Sequence, residues 1–405
     1  MTALTREEKL EQLFPEDLLK QSNTLTDGEI DVLMELEEAL EKHLRPVVTE
    51  FYEKGAFPHE AFAKVVQEVK ILSDERLFED PKAENYVHSQ YYNTYLYHVL
   101  ARFDVSTATF TAVHAGLGYY TFLFGGSEEQ KAKWLPKFQS FDLQTCFALT
   151  EPDHGSDIAG GLATTATRDG DKWILNGEKR WIGGADTADL LPVFARDTED
   201  NQIKAFVVKK GQAGLSVENI PNKIGLRMVH NGHITLDNVE VLEEDRLPNI
   251  NSFKDVANIL YATRAIIGVL ASGNAAGAYR AALKYTKDRE QFGKNLTKFQ
   301  LVQEKLARIV SNVQSQMAVN ARIADLQTEG QYDEVRSSIV KMQNALLSRE
   351  SVALAREICG GNGILYDYDV ARFFTDSEAI YTYEGTHEIN ALVIGRAITG
   401  KSAFV

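Results

Sequence analysis

The stretch Tyr381-Thr382-Tyr383-Glu384-Gly385-Thr386-His387-Glu388-Ile389-Asn390 sets a carboxylate between an aromatic ring and a glycine, just beyond a glycine-rich turn at Gly360-Gly361-Asn362-Gly363. A general base that removes a carbon-bound proton needs a carboxylate in water-poor surroundings. Tyr383 supplies apolar surface, and Gly385 removes side-chain bulk where a substrate has to pass close to the main chain. The same residues also read as an ordinary helix entry, because Gly385-Thr386 leads into the apolar positions Ile389, Leu392 and Val393. Taken locally, both readings of Glu384 stand.

Outward from this segment the chain changes period twice. From Asp27 to about Phe141 the pattern is helical, with Ile30, Leu33, Leu36, Leu40 and Leu44 at three- and four-residue spacing. From Asp142 to Ile250 it turns to short β-branched runs broken by turn residues, such as Lys172-Trp173-Ile174-Leu175-Asn176-Gly177, Ala205-Phe206-Val207-Val208 and His233-Ile234-Thr235-Leu236. From Asn251 onward helical periods return, and Gly330 and the Gly360 turn end helices. The expected division is 1–141 helical, 142–250 β and 251–405 helical with Glu384, an α+β chain without repeats.

Composition narrows the function class. With 405 residues and 44% hydrophobic content the chain can bury a sizeable core. A net charge of -15 argues against a nucleic-acid footprint, which needs a clustered basic face. Cys146 and Cys359 lie far apart and read as buried thiols of a reducing compartment rather than a disulfide frame. The start Met-Thr-Ala-Leu-Thr-Arg-Glu-Glu carries no apolar run, so no signal peptide or membrane insertion is expected. Ala403-Phe404-Val405 is not a peroxisomal tripeptide, leaving a cytoplasmic protein as the expectation.

Three blocks in order point further. Tyr383-Glu384-Gly385-Thr386-His387-Glu388-Ile389-Asn390, continuing to Gly395-Arg396-Ala397-Ile398-Thr399-Gly400, resembles the active-site segment of the acyl-CoA dehydrogenases, closest to their glutaryl-CoA dehydrogenase branch. Phe147-Ala148-Leu149-Thr150-Glu151-Pro152-Asp153-His154-Gly155-Ser156-Asp157 resembles that family's flavin-binding block, and Gly360-Gly361-Asn362-Gly363 its third. The resemblance covers nearly all of the chain. It implies an N-terminal helical domain, a middle β-barrel or sandwich domain and a C-terminal four-helix bundle.

It also implies FAD as cofactor. Thr150 offers a hydroxyl, and Gly155-Ser156 offers N–H groups suited to a pyrophosphate or pyrimidine edge. A plain tight turn is the competing reading of Pro152-Asp153-His154-Gly155. By resemblance Phe147, Leu149, Thr150, Gly155 and Ser156 line the flavin, and Trp181, Ile182 and Gly183 pack against it. Arg289, Gln291, Phe292 and Gln300 reach the adenine half held by a neighbouring subunit, with Glu357, Gly360, Gly361, Thr386 and Glu388 also on the cofactor side. Such sharing implies a homotetramer, a dimer of dimers. Lys287 and Arg289 could equally be an exposed basic helix end.

The family's mechanism gives Glu384 the α-proton and the flavin the β-hydride of an acyl-CoA, yielding a trans-2-enoyl-CoA. The thioester oxygen is held by the N–H of the base. Ser156, Ala108, Tyr261, Arg264, Tyr383 and Gly385 are the expected substrate contacts, although a lone Arg264 could instead be a structural ion pair. Electron-transferring flavoprotein is the expected acceptor.

Two departures matter. The family usually has Thr or Ser where this chain has Gly183. The Trp181-Ile182-Gly183 run, with Asn222–Val229 and Glu244–Pro248, resembles plant short-chain acyl-CoA oxidases and keeps O2 as an alternative acceptor. Glutaryl-CoA dehydrogenases carry a carboxylate-binding arginine shortly after a pattern equivalent to Arg102-Phe103-Asp104. Counting forward places Ala108 there. A buried carboxylate without a partner is costly, so a short apolar acyl chain is expected in preference to glutarate. A catalytically silent flavoprotein is disfavoured, since such a protein needs no carboxylate at Glu384.

Overall fold

The computed structural model describes residues 4–78 and 87–402; the Ala403-Phe404-Val405 reading and the first three residues of the chain start lie outside them. Thr5 and Glu8 exchange hydrogen bonds, Glu8 N to Thr5 Oγ1 at 3.3 Å and Thr5 N to Glu8 Oε2 at 2.7 Å. This capping box opens a helix at Arg6–Leu13, ahead of the Asp27 start expected from hydrophobic period. A second box, Thr26 with Glu29, starts Asp27–Ala39.

The chain packs as two compact units. One comprises Met1–Thr109, Ile224–Met228 and Arg264–Val405, and the other comprises Phe110–Lys223 and Val229–Thr263. The first is helical: its first segment contributes Asp27–Ala39, His59–Val69 and Gln90–Phe103. Its last contributes most of Phe253–Asp288, then Gln300–Thr328, Glu334–Ile358, Val370–Thr382 and His387–Thr399. Phe253–Asp288 is long and apolar enough to cross a membrane, but 67% of its most apolar window is buried in the protein. Its glycines explain that burial. A Cβ at Gly273 would stand 2.6 Å from the His98 carbonyl and one at Gly277 2.5 Å from that of Arg102, so Gln90–Phe103 lies directly on it.

A polar seam threads this helical core. His98 Nδ1 meets Ser272 Oγ at 3.0 Å, Asn320 Nδ2 donates to the same hydroxyl at 2.9 Å, and Asn344 Nδ2 donates to Asn320 Oδ1 at 2.8 Å. Arg372 pairs with Asp104 at 2.7 Å and Arg102 with Glu16 at 2.7 Å, all four side chains buried, so both ends of the Arg102-x-Asp104 pattern sit in buried ion pairs.

The second unit is built on strands β1 (Thr165–Asp169), β2 (Lys172–Gly183), β3 (Leu190–Asp197), β4 (Ile203–Lys209), β5 (Leu215–Asn219), β6 (Asn231–Leu242) and β7 (Arg246–Leu247). They form one sheet in the order β5-β6-β2-β1-β3-β4-β7, antiparallel except where β1 runs parallel to β3. Alternating residues of β2, β3, β4 and β6, among them Trp173, Leu175, Val193, Phe206, Ile234 and Val239, make its core with Cys146. Register slips twice in β2 against β6, the second time between Lys179 and Ile182, which turns Trp181 outward. Both cysteines are free and buried.

Candidate active site

Helix Val370–Thr382 ends at Tyr383, whose N–H still bonds the Ala379 carbonyl at 3.0 Å. The next helix begins at His387 with Thr386 as its cap, the Thr386 hydroxyl accepting from Ile389 N at 3.2 Å. Between them Glu384 has φ +56° and Gly385 φ +82°. Two successive left-handed residues reverse the chain. Glycine adopts this freely, whereas a glutamate does so at a cost of about 1 kcal/mol or more.

The loop is pinned from two sides. Lys341, fully buried on helix Glu334–Ile358, donates to the Tyr381 carbonyl at 2.8 Å and the Gly385 carbonyl at 2.7 Å. Asn390 donates to the carbonyls of Gly385 and Thr386, each at 2.9 Å. Burial pushes the Lys341 ammonium down to about 8, with Glu384 opposing that fall and Arg264 adding to it. The Tyr383 hydroxyl meets Thr109 Oγ1 at 3.3 Å, next to fully buried Ala108. Burial also raises the Tyr383 phenol, so it stays neutral. Glu384, Tyr383, Gly385, Thr386 and the helix Val105–Thr111 that carries Ala108 are thus brought together.

Arg264 is buried and donates to Ser338 Oγ at 3.1 Å, while its Nε has no partner. The Ser338 hydroxyl is thus a hydrogen-bond partner of this buried cation. Tyr261 lies half-buried in the other unit. Glu388 is exposed, its carboxyl lowered by main-chain and Thr386 hydrogen bonds.

In the sheet unit a second assembly forms around the Phe147 block. The Lys179 ammonium, buried under β2, bonds the Leu149 carbonyl at 3.0 Å and Glu151 Oε1 at 2.8 Å. Glu151 also accepts from Ala163 N and Thr164 N. The Thr150 carbonyl accepts from Arg180 N at 2.8 Å, which joins this loop to the bulge carrying Trp181. Phe147 packs on Phe194, Leu149 and Ile182 are buried, and Trp181, at φ +65°, holds a 52% exposed indole outward. The Glu151 N–H bonds the His154 carbonyl at 3.1 Å, so the tight-turn reading of Pro152–Gly155 holds as well. The hydroxyls of Thr150 and Ser156 make no hydrogen bond to the described residues. A Cβ at Gly155 would meet open space, while one at Gly183 would stand 3.1 Å from Val113 Cγ2. An outward aromatic beside unspent hydroxyl donors fits a flat polar cofactor, and at Gly183 a larger residue would require Val113 to yield.

Arg289 and Gln291 stand on a short hairpin, Gln291 paired with Lys294, whose turn residues Phe292 and Gly293 both have positive φ. Phe292 is 93% exposed. Gln300 opens the next helix, on which Lys305 pairs with Glu357 at 3.0 Å, and Asn362 bonds Tyr285 at 3.1 Å. These contacts gather Arg289, Gln300, Glu357 and the exposed Gly360-Gly361 turn at the ends of neighbouring helices. Sequence reading missed Lys341 and Lys179. Lys341 shares a helical stripe with Ser337, Asn344 and Ser348, all buried, so a lysine on an inward face was its signal. Among the described residues no group of His, Cys, Asp and Glu could hold a metal ion.

Residues 26–142, 146–239 and 253–399 match the acyl-CoA dehydrogenase N-terminal, middle and C-terminal domains. The chain belongs to the acyl-CoA dehydrogenase family. It is 33% identical over 75% of its length to an acyl-CoA dehydrogenase of Bacillus subtilis, covering 81% of that protein. A glutaryl-CoA dehydrogenase from Mycobacterium smegmatis, solved in complex with FADH2, superposes with a TM-score of 0.89 at 30% identity, covering 96% of this chain and 99% of that one. Butyryl-CoA dehydrogenase of Megasphaera elsdenii gives 0.85 at 28% identity, over 92% and 98%. The expected α+β architecture is that of this family.

Proposed function

We propose that the protein is an FAD-dependent dehydrogenase of short-chain acyl-CoA thioesters, with Glu384 as the base. The observation that carries this reading is the Glu384 carboxylate itself, held in a left-handed turn against conformational preference between Tyr383 and Gly385. Family membership makes the chain an oxidoreductase acting on acyl-CoA.

FAD is the cofactor; Phe147, Leu149, Thr150, Ser156, Trp181 and Ile182 would hold it, and it would supply the acceptor for a hydride from the substrate β-carbon. The Glu384 carboxylate removes the α-proton, and the main-chain N–H of Glu384 donates to the thioester oxygen, which stabilises charge developing there. Tyr383 and the Ala108–Thr109 stretch of helix Val105–Thr111 keep water from the carboxylate. Ala108 supports an uncharged acyl chain of about four to six carbons over glutarate, because a distal carboxylate would find no arginine there. Arg264 is read as a cation for the CoA moiety.

The exposed apolar side chains Phe292, Leu301, Ile364 and Ile398 support a homotetramer in which a neighbour completes each cofactor site. Electron-transferring flavoprotein is the proposed acceptor and the cytoplasm the proposed compartment. An anaerobic titration of the yellow protein with butyryl-, hexanoyl- and glutaryl-CoA tests the substrate. Bleaching by the first two and not by glutaryl-CoA is expected. Slow recolouring on admission of air supports a dehydrogenase, and fast recolouring would make it an oxidase.

A further inference from the structure

We propose that Lys341 is a positioning residue for the general base: its buried ammonium clamps both ends of the turn that presents Glu384 and supplies the positive charge beside which that carboxylate works. The inference rests on the reading of Glu384 as base.

The two carbonyls that Lys341 holds belong to Tyr381 and Gly385, so its bonds bracket Glu384 along the chain. A turn made of two left-handed residues persists only where surrounding structure over-determines it, and Lys341 is buried at its root. Satisfying the carbonyls alone does not require a lysine. Asn390, a neutral donor, already bonds the Gly385 carbonyl and that of Thr386. Among the described residues Lys341 hydrogen bonds to carbonyls and makes no ion pair, and a buried ammonium in that state is costly. What the amide of Asn390 lacks is charge.

Charged groups reach Lys341 from each element around it. Glu384 of the turn and Glu388 of helix His387–Thr399 favour its protonated form, while Arg264 of helix Phe253–Asp288 and burial oppose it. The balance leaves the ammonium titrating near 8. Below that pH a cation stands by Glu384 and favours its ionised form, which the reaction requires; above it, the cation is lost. Lys341 therefore contributes to the acid limb of the rate profile. Removing its charge moves that limb upward, and an arginine in its place keeps it where it is.

The test follows kcat/KM for butyryl-CoA and anaerobic flavin reduction from pH 5.5 to 9.5 in FAD-replete wild type, Lys341→Gln, Lys341→Arg and Glu384→Gln. Lys341→Gln should raise the acid-limb midpoint by about one pH unit, roughly a tenfold rate loss at a fixed pH below it. Its butyryl-CoA affinity, read from the flavin spectrum, should change less than about threefold. Lys341→Arg should keep the wild-type acid midpoint, because its charge is retained. A Lys341→Gln profile that is lower but has an unmoved midpoint would mean a merely structural lysine and overturn the inference. If Lys341→Gln is insoluble, Lys341→Arg decides alone, and an acid midpoint raised by about one pH unit despite the retained charge overturns the inference. A Glu384→Gln enzyme that still reduces its flavin at the wild-type rate would show instead that the base reading has failed, whatever the lysine variants do.

Discussion

The Lys179 ammonium lies 2.8 Å from Glu151 with both side chains almost fully buried, and the pair ties the Leu149–Thr150 loop to the strand that carries Trp181. Burial pushes Lys179 down to about 8; burial also opposes ionisation of Glu151, but the Lys179 charge prevails and holds that carboxyl below its usual range. Removing one partner strands the other. Glu151→Ala should destabilise the protein by about 3–5 kcal/mol, seen as a lower denaturant midpoint. It should also release FAD more readily on gel filtration, because the Thr150 loop loses its anchor.

Glu384→Gln keeps the shape of the base but cannot accept a proton. It should bind butyryl-CoA with near wild-type affinity and lose about 10²–10⁴-fold in the rate of anaerobic flavin reduction. Retention of more than about a tenth of the rate would remove Glu384 from the role of base.

Ala108→Arg places a cation beside Thr109 and Tyr383. The ratio of kcat/KM for glutaryl-CoA to that for butyryl-CoA should rise by about 10²-fold or more, since sites built around a charged hydrogen bond discriminate strongly. A wild-type enzyme that already favours glutaryl-CoA would reverse the substrate proposal.

Asp376 lies at the centre of a second buried cluster, accepting from Tyr52 at 2.5 Å and from Leu226 N at 2.6 Å, with its other oxygen unpartnered. Burial, followed by the nearby Asp104 carboxylate, pushes its carboxyl up to about 7. The folded protein therefore holds this proton more tightly than the unfolded chain does, so the associated stability is full at acid pH and is lost as pH rises towards 7. In Asp376→Asn that loss disappears. The melting temperature of wild type minus that of the variant should fall between pH 5 and pH 8, by roughly several degrees, in scanning fluorimetry.

Much of the architecture was legible because it is written in local period. Ile30, Leu33, Leu36 and Leu40 are all buried on the helical stripe that spacing assigned them, and Lys172–Gly177 lies within β2. Glu384 was singled out by its neighbours Tyr383 and Gly385. Lys341, Lys179 and Asp376 were not, because each is a charged residue whose environment is made by segments distant in sequence. Lys341 is satisfied by carbonyls 40 and 44 residues away and Asp376 by Leu226, 150 residues away. No short-range pattern encodes such pairings. The Thr5–Glu8 capping box, by contrast, is a local signal that hydrophobic period alone passed over.

The left-handed backbone at Glu384 sets a thermodynamic direction for the chain's own evolution. Glycine or asparagine would sit at φ +56° with less strain than glutamate, so the residue proposed to do the chemistry is not the one the turn would choose. A descendant released from the reaction would gain heat resistance by losing the proposed base. In a selection for thermal survival alone, Glu384→Gly and Glu384→Asn should be enriched, and every clone that rises by that route should be catalytically dead.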